Sequence, residues 1–153
     1  MAVRALIAEG SRAVRNAIRF HLECIGCDVV AEMGTVAQAL AIFRTVRPDV
    51  VTLGLDLPGT EEMDSISLFR DMRREAPETT IVLLGTNEGQ APDGEVFVRE
   101  GALNFIARPF GSASFDLLWR RLSQAYPELK NRGFGAIMSD PFQQGRSQNR
   151  QMA

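Results

Sequence analysis

The sequence predicts an α/β fold, an open five-stranded parallel sheet with helices on both faces. Three observations predict the class. Short strand-like apolar runs alternate five times with stripes at helical spacing. The runs are apolar along most of their length, as strands buried on both faces should be. Gly and Pro punctuate the joins between them.

The first run is Ala5-Leu6-Ile7-Ala8, and Ser11 follows as a helix N-cap whose hydroxyl accepts a free N–H of the first turn. Val14, Ala17, Ile18, His21, Leu22 and Ile25 then recur at intervals of three and four, one face of a helix that Gly26 stops. Residues 28–31 form the second strand. Thr35 caps a helix carrying Val36, Leu40 and Phe43, which Pro48 ends. Residues 50–55 are the third strand, and a loop through Pro58-Gly59 leads to a helix with Ile66, Phe69 and Met72. Residues 81–84 are the fourth strand. Pro92 and Gly94 confine the fourth helix to residues 93–100. Residues 104–107 are the fifth strand, and Phe115, Leu118, Trp119 and Leu122 mark the fifth helix. Parallel neighbours require right-handed crossovers. After Pro127 the periodicity lapses into Gly, Gln, Asn and Ser, which predicts one domain over residues 1–126 and a flexible tail over 127–153.

Composition narrows the function classes. Hydrophobic residues make up 45% and charged residues 24%, the mix of a globular domain. With 17 basic and 19 acidic residues the net charge is -2, so no overall field steers the chain toward nucleic acid. No apolar run approaches the ~18 residues of a membrane span, and no leader segment opens the chain. A cytoplasmic location with no membrane partner is expected. Cys24 and Cys27 have C-x-x-C spacing, but a zinc site wants a second ligand pair, and His21 is the one histidine. They read as small hydrophobes at a helix end. No metal site and no cofactor is expected.

Three stretches carry a resemblance. They are Ala5-Leu6-Ile7-Ala8-Glu9-Gly10-Ser11-Arg12-Ala13-Val14-Arg15, Arg47-Pro48-Asp49-Val50-Val51-Thr52-Leu53-Gly54-Leu55-Asp56-Leu57-Pro58-Gly59, and Gly101-Ala102-Leu103-Asn104-Phe105-Ile106-Ala107-Arg108-Pro109-Phe110. In this order and spacing they resemble the receiver domain of two-component response regulators (CheY-like), over residues 3–124. The resemblance implies a doubly wound, flavodoxin-like sheet of strand order 2-1-3-4-5, with the site at the carboxyl ends of the strands.

It also implies where the phosphorylation chemistry should stand. A receiver needs a nucleophilic carboxylate, further carboxylates for a hard divalent cation, and a hydroxyl and a lysine to hold the phosphate. The acceptor position is Gly54. The acidic pair is Glu9 and Gly10, the hydroxyl position is Gly85 with Thr86 one residue late, and the lysine position is Arg108, followed by Pro109. Phe105 takes the switch-aromatic position and is expected in one fixed rotamer. Thr60, Glu61 and Glu62 look inserted in the exit loop, adding acids beside the pocket. The expectation is a pseudo-receiver: not an enzyme, without Mg2+, regulating a two-component-type pathway through protein contacts.

Two alternatives stay open. One is a conventional regulator phosphorylated at the displaced Asp56. The other is an anion or nucleotide sensor using Arg108 and the basic tail residues Lys130, Arg132, Arg146 and Arg150. The resemblance puts the partner face on the fourth helix, fifth strand and fifth helix. There Val96, Phe97, Phe105, Trp119, Arg120 and Arg121 are of the residue types that anchor interfaces. The partners it suggests are a histidine kinase, a phosphotransfer protein, another regulator or a second copy of the chain.

Overall fold

In the computed structural model the caps fall where the sequence puts them. Helix α1 (Arg12–Cys24) starts at Ser11, whose side chain accepts from the Val14 N–H, and α2 (Val36–Val46) starts at Thr35, which accepts from Gln38 N–H. Helix α3 (Ser65–Glu75) is capped by Asp64. Arg47, with φ of 45°, turns the chain out of α2 in the left-handed conformation just before Pro48. The structure describes residues 2–85, 91–106 and 112–129.

The strands are β1 (Val3–Ala8), β2 (Cys27–Met33), β3 (Val50–Gly54), β4 (Thr80–Leu84) and β5 (Asn104–Ile106), followed in the chain by α4 (Ala91–Arg99) between β4 and β5, and α5 (Ser112–Ala125) after β5. They form one parallel sheet in the order β2-β1-β3-β4-β5. The predicted fold class and strand order hold. Some bounds differ: β1 and β2 extend beyond the expected residues, because pairing with a neighbour, not apolarity, sets where a strand ends. Helix α4 begins at Ala91 rather than 93, since a proline in a first turn lacks only an N–H that has no partner in the helix.

Alternation along the strands feeds two cores. Val3, Ala5 and Ile7 of β1 point into one with Val82, Leu84 and the α1 and α5 residues Ile18, Leu22, Leu118 and Trp119. Leu6 and Ala8 point into the other with Val51, Leu53, Phe43, Phe69, Met72 and Phe97. His21 is buried in the first core, 3% exposed, its ring stacked on Phe115 at 4.5 Å and on Trp119 at 5.5 Å. That core also takes in Leu129, 2% exposed, so packing continues three residues past the expected boundary at 126. One apolar side chain without periodic neighbours gave no pattern to read. The rest of the expected tail, from residue 130, lies outside the described residues.

Strand β2 is an edge. The register jumps from Ala5↔Val29 to Leu6↔Ala31, leaving Val30 as the extra residue of a bulge. A bulge bends an edge strand away from a flat, pairable geometry.

Candidate functional site

The carboxyl ends of β1, β3 and β4 lie side by side, and short glycine-bearing turns follow them. Glu9 directly follows β1. Its N–H donates to Met33 O at 3.0 Å, its side-chain Oε1 accepts the Ser11 N–H at 3.2 Å, and the residue is fully buried. Arg15, one turn into α1, reaches back so that Nη1 donates to Glu9 O at 2.7 Å and Gly10 O at 3.3 Å. The β1–α1 turn is thus fastened from the helix side.

Gly54 ends β3 and is buried. A Cβ placed there would stand 3.0 Å from Glu9 Cδ, closer still to Glu9 Oε2, and 3.2 Å from Asp56 Oδ1. The space beside position 54 already holds carboxyl groups. Gly10 is filled in a similar way, since a Cβ there would meet Pro58 Cδ at 3.1 Å. Asp56 is exposed, and its side chain leans back over the end of β3.

The exit loop is internally bonded. Leu57 N–H donates to Gly54 O at 3.1 Å, Ser65 Oγ donates to Leu55 O at 2.5 Å, and Val36 N–H donates to Pro58 O at 2.9 Å. Gly59 is a required glycine, because a Cβ would lie 2.9 Å from Val36 Cγ2 and nearer yet to a backbone oxygen. Thr60 and Met63 close a turn reciprocally: Thr60 N–H donates to Met63 O and Met63 N–H donates to Thr60 Oγ1, both at 3.0 Å. That turn presents Glu61 and Glu62 to solvent. The N–H of Ser67, 2.8 Å from Asp64 Oδ1, holds the Asp64 carboxyl below the usual range.

Gly85 is buried after β4, and its N–H donates to Ile106 O at 2.7 Å. Glu9, Gly10, Gly54 and Asp56 are therefore brought together, with Gly85 one strand over. Thr86, Arg108 and Pro109 lie outside the described residues. Phe105 is half-buried against the core on the α2–α4 side.

The expected partner face needs correction. Phe97 is 5% exposed, edge-on to Phe69 at 5.6 Å, and Trp119 is 1% exposed in the His21–Phe115 stack. Large aromatic rings on the sheet-facing side of a helix fill the core, so neither is offered to a partner. Arg121 is half-engaged, its Nη1 donating to Asn104 Oδ1 at 3.0 Å and Leu103 O at 3.3 Å. Val96 and Arg120 are exposed, and the structure adds Val98 and Leu117, which sequence reasoning missed. Spacing alone could have found Leu117, two residues before the core position Trp119 and so on another side of α5.

Other chemistry is thin. Cys24 and Cys27 are free thiols, and burial, followed by the nearby Asp49 charge, pushes the Cys27 thiol up to about 12. A thiol so placed yields almost no thiolate at neutral pH. Among the described residues no group of three His, Cys, Asp or Glu could hold a metal ion, and no helix is long and apolar enough to cross a membrane.

A parallel sheet in this order, with helices on both faces, defines the flavodoxin-like class of doubly wound domains. The sequence pattern of the response regulator receiver domain matches residues 5–118, and the chain belongs to that family. It is 31% identical over 113 residues to a protein-glutamate methylesterase/protein-glutamine glutaminase of Halobacterium salinarum, covering 74% of this chain and 32% of that one. The chain thus spans about a third of that relative's length. It is 30% identical over 110 residues to the chemotaxis protein CheY of Bacillus subtilis, covering 72% of this chain and 88% of that one. In fold it is similar to the REC domain of AraT, a response regulator from Geobacillus stearothermophilus, with a TM-score of 0.71 at 20% identity over 85% of this chain and all of that one.

Proposed function

We propose that this receiver domain works in a two-component-type pathway without being phosphorylated, through contacts with a protein partner. One observation carries the reading: at the end of β3 the acceptor position has only a hydrogen, and the Glu9 carboxyl stands in the adjoining space. A phosphoryl acceptor must be a nucleophile within reach of the donor. No catalytic step is assigned to the chain, and no Mg2+ is needed for the role. A cytoplasmic location belongs to the same proposal.

The partner face in this reading is α4, β5 and α5, with the exposed apolar residues Val96 (45%) and Leu117 (47%) and the exposed Arg120; Val98, two residues from Val96, lies on another side of α4. Exposed apolar residues beside an arginine suit a protein surface of mixed character, such as a kinase, a phosphotransfer protein or a second copy of this chain.

Incubation with acetyl phosphate and magnesium, followed by intact-mass measurement, tests the reading. The mass is expected to stay unchanged. A one-phosphate gain that disappears in Asp56→Asn would overturn it in favour of a displaced acceptor. That second reading has its own support, since Asp56 is exposed and Oδ1 lies 3.2 Å from where an acceptor Cβ would stand. It is the weaker reading because Gly10 supplies no acid for a cation that would offset the phosphate charge.

A further inference from the structure

The two glycines at the carboxyl ends of β1 and β3 are crowded positions rather than vacant ones. At Gly54 the crowding comes from β1, through Glu9, and at Gly10 it comes from the exit loop, through Pro58. The two sites where the family resemblance expects acids are thus filled by neighbours from opposite sides.

We propose that Glu9 is the resident occupant of the acceptor position: its carboxyl, delivered from β1, takes the space that a side chain on β3 would need. Gly54 is then glycine because Glu9 is there, and the chain itself fills the acceptor position. This deepens the reading that the chain transfers no phosphoryl group and rests on it.

A carboxyl is the end of a flexible side chain, so swinging aside has to be considered. Three features oppose it. Glu9 is fully buried, so its carboxyl has no route to solvent without displacing the atoms that cover it. Its Oε1 accepts the Ser11 N–H at 3.2 Å, a bond a swing would break at the start of α1. Its backbone is fixed on both sides, by Met33 O and by Arg15. Pro58 has little freedom either, because Pro58 O holds the Val36 N–H at 2.9 Å. Residues 9 and 54 are therefore coupled: which side chain fits at one is set by the other.

The test is a cycle of thermal unfolding on wild type, Gly54→Ala, Glu9→Ala and the double variant. Replacing a strand glycine by alanine ordinarily stabilises. Here Gly54→Ala should lower Tm by about 2–4 °C or more, and the same change made in Glu9→Ala should leave Tm unchanged or raise it. Equal shifts in the two backgrounds would overturn the proposal. If Gly54→Ala does not fold, recovery of folded protein in the double variant supports the coupling and its failure overturns it. If Glu9→Ala does not fold, the Ser11 amide of Gly54→Ala decides: faster hydrogen exchange supports displacement of Glu9, and unchanged exchange refutes it. Acetyl phosphate labelling of wild type stands apart from this cycle. Labelling would sink the phosphorylation-independent reading, whereas equal Tm shifts without labelling would sink only the role given to Glu9.

Discussion

The Tyr126 hydroxyl stands 2.8 Å from Thr80 Oγ1 and 3.1 Å from Asp49 O, tying the end of α5 to the start of β4 and the approach to β3. Leu129 then enters the core beside Gly26. The chain passes under the amino ends of the strands, the edge opposite Glu9 and Gly54. Tyr126→Phe should cost about 1 kcal/mol for its lost bonds. Leu129→Ala should cost about 2–5 kcal/mol, the range for a buried leucine. Urea unfolding midpoints measure both, and an unmoved midpoint for Leu129→Ala would mean the segment is not part of the core.

On α5, two neighbours in sequence should behave in opposite ways. Trp119→Ala removes a ring buried between α1 and α5 and should cost about 3–5 kcal/mol. Leu117→Glu changes an exposed position and should alter stability by no more than about 0.5 kcal/mol. If the α4–β5–α5 face binds a second copy, sedimentation should show the Leu117→Glu protein shifted to monomer. A dimer that survives this charge would move the interface elsewhere.

The strand and helix succession and the helix caps were legible because each depends on local pattern: Ser11 and Thr35 precede apolar stripes, and the strands are mostly apolar along their length. The strand order joins distant segments and followed only from the family resemblance. The partner face was read less well. Phe97 and Trp119 have the residue types of anchors, and type does not say which side of a helix faces the sheet. The absence of an acid at position 54 was plain in the sequence, but its filling by Glu9 was not. That relation joins residues 45 positions apart and depends on strand register, with Ala8 opposite Leu53.

Alkaline pH should weaken the fold through two groups. Burial raises the Cys27 thiol from an ordinary 9.0 to about 12, and burial also raises the Tyr126 phenol. A raised folded pKa means the proton is held more tightly in the native state. The stabilisation is therefore full below pH 9 and is lost for Cys27 as the pH rises through about 12. Cys27→Ala should flatten this alkaline decline. In the native protein at pH 8, an alkylating reagent should modify half-buried Cys24 well before Cys27, and equal rates would contradict the burial assigned to Cys27.

Acid pH should act through the α3 cap. Asp64 accepts from Ser67 N–H, and that bond holds its folded pKa below the ordinary 3.8. A lowered folded pKa makes the stabilisation full above that ordinary value, and it is lost as the pH falls through the lowered one. Asp64→Ala should cost about 1 kcal/mol at neutral pH, as expected for a lost N-cap, and the gap to wild type should narrow in acid. Asp64→Asn keeps an oxygen acceptor without the charge, so it should stay near wild type at neutral pH and carry no such acid dependence. Thermal melts of the three proteins from pH 7 downward make the comparison. A gap between wild type and Asp64→Ala that stays constant into acid would assign the cap's effect to shape rather than to the carboxylate.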